Sequence, residues 1–172
     1  MFKVSNIPNF LTILRIILIP GIIVCIEINE HFYSWIGLIF YILACFSDFL
    51  DGYIARKFDL ESNFGRFLDP IADKILVVAL LIILLENGKI SGFFVYPTLV
   101  IILREVIVSG LRDFFLHSSK SLEVTNLSKW KTMIQMTSIG FLIVGDAFLT
   151  NLILYVGNLG LTIASILTCL LY

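Results

Sequence analysis

The chain has little charge and almost nothing with which to bind a soft metal. Asp, Glu, Lys and Arg make up only 15% of its 172 residues against 59% hydrophobic, a balance too apolar for an ordinary water-soluble domain. Histidine occurs twice, at His31 and His117, each in a connection between apolar runs and without ligand-like neighbours. The three cysteines, Cys25, Cys45 and Cys169, stand singly inside apolar runs with no CxxC spacing, which reads as small packed hydrophobes and carries no information on compartment. No basic tail or charge run exists and the net charge is −1, so no nucleic-acid partner is expected. No repeat, low-complexity segment or soluble linker of domain length interrupts the chain, and 1–172 is expected to be a single domain.

What is present is hydrophobic length. Mean hydropathy is +1.00, and spans of about 20 apolar residues fit near 8–27, 33–55, 67–86, 92–115, 130–149 and 152–171. The expected fold is therefore all-α, a polytopic membrane protein with six transmembrane helices. Lys3, Arg56, Lys57, Arg66, Arg112, Lys120, Lys129 and Lys131 collect at the amino terminus and at the second and fourth connections, while Lys89 sits alone at the third. An even number of spans with this bias puts both termini in the cytoplasm of a multi-pass cell-membrane protein. The first run contains Asn9, Arg15 and Pro20, lacks an A-x-A cleavage site and leads into further spans, so it reads as a retained span rather than a leader.

Into this apolar chain the segment DFLDGYIARKFDLESNFGRFLDPIAD, residues 48–73, brings four aspartates. One ionised carboxylate at mid-membrane costs at least ~2.5–3.5 kcal/mol, so a cluster of four requires a cationic partner. Asp48 and Asp51 are spaced i,i+3 and Asp69 and Asp73 i,i+4, so on two helices each pair projects from one face toward a shared space. Oxygen-only ligands suit Mg²⁺ or Mn²⁺, and four carboxylates balance two such ions. Gly52 and Gly65 leave the backbone bare beside the acidic centre and Ala55 keeps the same face low, while Arg56 offers a bidentate grip on phosphate oxygens. The centre would open toward the cytoplasm.

The order Asp48-x-x-Asp51-Gly52-x-x-Ala55-Arg56, eight residues, then Gly65-x-x-x-Asp69-x-x-x-Asp73 resembles without a gap the signature of the CDP-alcohol phosphotransferases. At roughly one in fifteen per fixed residue, chance yields it about once per billion starting positions. The resemblance covers nearly the whole chain. It implies CDP-diacylglycerol as donor, with Asp48, Asp51, Asp69 and Asp73 as metal ligands and Asp73 also as the proton acceptor. Gly52, Ala55, Arg56, Ser62 and Gly65 would lie against the cytidine diphosphate portion. In the first span Asn9, Thr12 and Arg15 share one side at helical spacing. From that stretch alone a snorkelling arginine with local caps and a ligand contact stand level; the resemblance of PNxLTxxR to the family's amino-terminal motif implies a cytidine-nucleotide contact.

A second polar set lies in ILREVIVSGLRDF and SKWKTMIQM. Arg104, Arg112, Lys129 and Lys131 could form a basic pocket for a phosphate monoester, or, for the lysines, simply flank the membrane. RE, LR and KxKTxxQ resemble the branch of the family whose acceptor is glycerol 3-phosphate, with Ser128 where glycine is usual. Inositol phosphate or serine as acceptor would keep the same donor site. A small cation transporter is the reading from another class, but a transport path should spread carboxylates through the bilayer, and here all four lie at one level. Small residues at Gly157, Gly160, Ala164 and Ser165 suit close packing inside the bundle or a homodimer seam.

Overall fold

The computed structural model describes residues 7–58, 63–116, 126–148 and 151–170, with side chains for 11–50, 71–108, 110, 129–148 and 151–170. Among the described residues there are six α-helices and no strand. They are α1 (Ile7–Ile28), α2 (His31–Phe58), α3 (Asn63–Glu86), α4 (Val95–Leu116), α5 (Asn126–Val144) and α6 (Leu152–Leu170). Three carry stretches long and apolar enough to cross a membrane: Leu11–Ile28, His31–Leu50 and Leu152–Leu170.

Helix ends depart from the apolar runs for a physical reason. Hydropathy reports where a bilayer core ends, whereas a helix continues as long as its own hydrogen bonds satisfy the backbone. α2 therefore runs past the apolar run through Arg56 to Phe58, and α3 begins at Asn63, so Gly65 is helical rather than part of a connecting loop. Asn29 ends α1 in the left-handed region at φ 52°, which asparagine tolerates better than most side chains. Gly88 does the same after α3 at φ 71°, and the amides of Gly88 and Ile90 donate to the carbonyls of Leu85 and Leu84 there.

Two compact units divide the chain, Met1–Ile83 and Leu84–Tyr172. In the first, α1 packs along α2. Among the described residues α1 buries Thr12, Arg15, Ile19, Ile22 and Ile26, alternating three and four apart, together with Cys25, and α2 buries Ser34, Gly37, Tyr41, Ala44 and Ser47. In α3 a spacing of four buries Ala72, Leu76 and Leu80. Outward positions are also apolar: Ile13, Ile17, Val24, Ile39, Phe46 and Phe49 are exposed. Polar side chains inside and large hydrophobes outside invert the water-soluble pattern and suit lipid.

The second unit packs α5 and α4 against α6. Gly157 and Gly160 of α6 meet α5 of the same chain. A methyl added at Gly157 would stand 2.8 Å from Leu142 Cγ, and one at Gly160 would stand 2.1 Å from Ser138 Oγ. Lys89, expected as a solitary outer cation, is buried: its Nζ lies 2.7 Å from Asp146 Oδ2 and donates to the Ile143 carbonyl at 3.0 Å. Asp146 is thus an ion-pair partner. Asn158 Nδ2 donates to the Lys89 carbonyl at 3.0 Å, joining α6 to the same knot.

Candidate active site

The carboxyl-terminal half of α2 carries the first half of the acidic segment because it satisfies two demands at once. Tyr41, Ala44 and Ser47 keep its inner face buried, and Asp48 stands next to Ser47, one turn beyond Ala44, at the edge of that stripe. On α3 the buried stripe of Leu80, Leu76 and Ala72 runs back to the neighbour of Asp73. Asp48 and Asp73 thus stand where the described part of each packing face ends.

The best-defined contact is between α1 and α2. Arg15 Nη1 lies 2.8 Å from Asp48 Oδ1, with the arginine side chain fully enclosed and that of Asp48 48% exposed. Full burial rules out the snorkelling alternative for Arg15. A guanidinium without water needs a counter-charge, and Asp48 supplies it. Thr12, one turn earlier, is likewise fully buried. Arg15 is the residue that spacing placed on the correct edge without showing its role; its signal was a lone arginine three residues after a threonine within an apolar run.

Asp73 lies on the same side of α2. Tyr41 and Cys45 are hydrogen-bond partners one turn apart, and both are within electrostatic reach of Asp73; Cys45 is also within reach of Asp48 and Arg15. One turn of α2 therefore has Arg15, Asp48 and Asp73 around it. Asn9, Asp51, Gly52, Ala55, Arg56, Gly65 and Asp69 have helical backbones, with side chains outside those described, and Ser62 lies outside the described residues altogether. No group of three or more His, Cys, Asp or Glu gathers among the described residues, of which only Asp48 and Asp73 belong to the quartet.

The donor chemistry fits a hard divalent cation. Asp48 meets Arg15 through one oxygen and keeps about half its surface open, so lone pairs remain for an ion that prefers oxygen. Cys45, the nearby soft donor, is occupied with Tyr41.

In the second unit Arg104 on α4 and Lys131 on α5 meet at one carboxylate, that of Glu105. Arg104 Nη1 is 3.3 Å from Glu105 Oε1, and Lys131 Nζ donates to the same oxygen. Lys131 is buried rather than flanking a membrane surface, whereas Lys129 is exposed. Arg112 has a helical backbone and a side chain outside those described. The sequence reading passed over Glu105 as a site residue, although its adjacency to Arg104 deep in an apolar run was a signal.

Comparison with known proteins bears on what this arrangement does. The family model described as CDP-alcohol phosphatidyltransferase matches residues 5–169. The CDP-diacylglycerol–glycerol-3-phosphate 3-phosphatidyltransferase of Rickettsia bellii (strain RML369-C) is 43% identical over 166 residues, covering 95% of this chain and 90% of that protein. The protein of the same name from Wigglesworthia glossinidia brevipalpis is 41% identical over 170 residues, covering 96% and 90%. A chloroplastic/mitochondrial relative in Arabidopsis thaliana, of the same named activity, is 37% identical over 152 residues, covering 82% of this chain and 51% of its own length.

Proposed function

The chain belongs to the CDP-alcohol phosphatidyltransferase family, and on that premise we propose that it transfers the phosphatidyl group of CDP-diacylglycerol to glycerol 3-phosphate, giving phosphatidylglycerophosphate and CMP. The observation that carries this reading is the identity, above 40% over nearly the full length, to relatives named for that reaction. The unbroken spacing of the aspartates, glycines and Arg56 supports it.

In this reading the whole chain is one transmembrane domain whose six helices cross the cell membrane. Both termini and the acidic centre face the cytoplasm, where the basic connections lie. Lys89 agrees with that orientation, since Asp146 neutralises it. The donor's acyl chains stay in the bilayer while its headgroup bends into the site.

Asp48, Asp51, Asp69 and Asp73 would hold two divalent ions, Mg²⁺ or Mn²⁺, which when bound neutralise the pyrophosphate and ease departure of CMP. Arg15 holds Asp48 toward that position. Asn9, Thr12, Gly52, Ala55, Arg56, Ser62 and Gly65 bind the cytidine diphosphate portion. Asp73 accepts the proton of the acceptor hydroxyl as its oxygen attacks the phosphorus bearing diacylglycerol. The bond from that phosphorus to the bridging oxygen breaks, CMP leaves with the electron pair, and Asp73 returns its proton to water. Arg104, Arg112, Lys129 and Lys131 draw in the acceptor's phosphate.

Purified protein supplied with CDP-diacylglycerol and Mg²⁺ should release CMP with glycerol 3-phosphate and not with inositol phosphate or serine. Release with another acceptor would keep the donor site and overturn the acceptor assignment. No release with any acceptor would overturn the activity.

A further inference from the structure

Lys89 precedes α4 and Asp146 follows α5, so their ion pair closes the segment between them into a ring. The lysine side chain is 3% exposed and that of Asp146 30%. Besides meeting Asp146, Lys89 Nζ donates to the Ile143 carbonyl in the last turn of α5, where a helix leaves carbonyls unmatched and favours a cation. The backbone is held as well. Asn158 Nδ2 of α6 donates to the Lys89 carbonyl, and the next amide, that of Ile90, donates to the Leu84 carbonyl of α3. Hydrogen bonds to α3, α5 and α6 thus hold Lys89 and its neighbour in place, with the ammonium kept out of water.

Sequence makes that charge an anomaly. In the orientation proposed above, the connections after α1, α3 and α5 face away from the cytoplasm, and Lys89 is the one lysine or arginine in them. A lysine in a short connection draws it toward the cytoplasm, and charges late in a chain can reverse an orientation set earlier. The helices of the ring resist weakly. Among the described residues, stretches long and apolar enough to cross a membrane lie in α1, α2 and α6, whereas α4 carries Arg104 and Glu105 and α5 carries Lys129 and Lys131. Acidic residues as a class carry little weight in orientation. Asp146 differs because it meets the lysine directly, where water screens the pair poorly. On the proposed orientation, we infer that Asp146 is a topology determinant: by pairing with Lys89 it masks the charge that would draw the α3–α4 connection to the cytoplasmic face, and so keeps α4 and α5 across the membrane.

Ser91, exposed in the same connection, supplies a probe as Ser91→Cys. A membrane-impermeant maleimide applied to spheroplasts expressing the full chain reads the fraction outside, with lysed membranes giving the total and protein lacking Ser91→Cys the background. The otherwise native chain should label from outside. Asp146→Asn should lower that fraction at least about twofold, whereas Lys89→Met should not, and Lys89→Met/Asp146→Asn should restore it. Glu86→Lys sets a hydrated, unmasked lysine at the exposed last residue of α3, apart from the pair. It should act like Asp146→Asn, and it reports even where Asp146→Asn folds poorly. Thermal denaturation in detergent runs beside the labelling, because a merely structural bolt would lose stability in Lys89→Met and Asp146→Asn alike and change the sidedness of neither.

Outside labelling that survives Asp146→Asn, or survives Glu86→Lys where Asp146→Asn does not accumulate, would overturn the inference. So would an equal fall in Lys89→Met, or a double variant no better than Asp146→Asn. In each of these cases an otherwise native chain labelled from outside leaves the proposed orientation standing. Labelling of that chain only after lysis would overturn the orientation and the inference with it, while CMP release remains a separate measure of the activity.

Discussion

Arg15 and Asp48 form an ion pair at 2.8 Å in which one partner is sealed from solvent and the other is half open. The asymmetry gives the pair two sides. Its inner side ties α1 to α2, and its outer side presents a carboxylate already held in place.

The two ends should therefore respond differently to removal. Asp48→Asn leaves a fully buried guanidinium without its counter-charge and should cost about 3–5 kcal/mol of stability along with activity. Arg15→Met leaves only a half-exposed carboxylate that water can solvate, so folding should survive while CMP release falls tenfold or more. The double variant should be more stable than Asp48→Asn alone. Thermal denaturation in detergent with CMP assays checks all three, and equal destabilisation by the two single variants would contradict the asymmetry.

Asp73→Asn preserves size but removes the proposed proton acceptor. CMP release should fall by about 10²–10⁴-fold, the usual worth of a positioned base, with KM for both substrates changed far less. Retention of more than a tenth of wild-type kcat would assign the base elsewhere.

Removal of divalent cations by EDTA should abolish CMP release, and Mg²⁺ or Mn²⁺ should restore it. As a readout apart from turnover, Mn²⁺ bound to the protein by electron paramagnetic resonance should approach two per chain and drop in Asp48→Asn. Full activity in excess chelator would remove the metal from the mechanism.

Gly157 and Gly110 make a contrast in packing. A methyl at Gly157 would press on Leu142 Cγ at 2.8 Å and on the Ser138 carbonyl oxygen at 3.2 Å, whereas one at Gly110 meets nothing within 4 Å. Gly157→Ala should destabilise by roughly 1–3 kcal/mol. Gly110→Ala, in open space on a helix, should stabilise by roughly 0.5–1 kcal/mol. Thermal denaturation measures both, and a neutral Gly157→Ala would mean that α5 and α6 can part at little cost.

Reading helices from this chain succeeded because the signal is local. Each apolar run carries its own length and each aspartate pair its own spacing, so α1 to α6 and the candidate quartet were legible from neighbours in sequence. The ends of α2 and α3 were not, because Arg56 and Gly65 lie in polar sequence where hydropathy falls while backbone hydrogen bonding continues.

Sequence alone determined the helical class, the spacing of the aspartates and the membrane as solvent, since hydrophobic length and i,i+3 or i,i+4 spacing require nothing beyond the helix that bears them. Tertiary structure alone decided which charge meets which: Arg15 with Asp48, Lys131 and Arg104 with Glu105, Lys89 with Asp146. Arg15, Lys131 and Lys89 look in sequence like ordinary cations near span ends, able to reach water. Burial takes that option away, and only the packing of one helix on another specifies the carboxylate that replaces it.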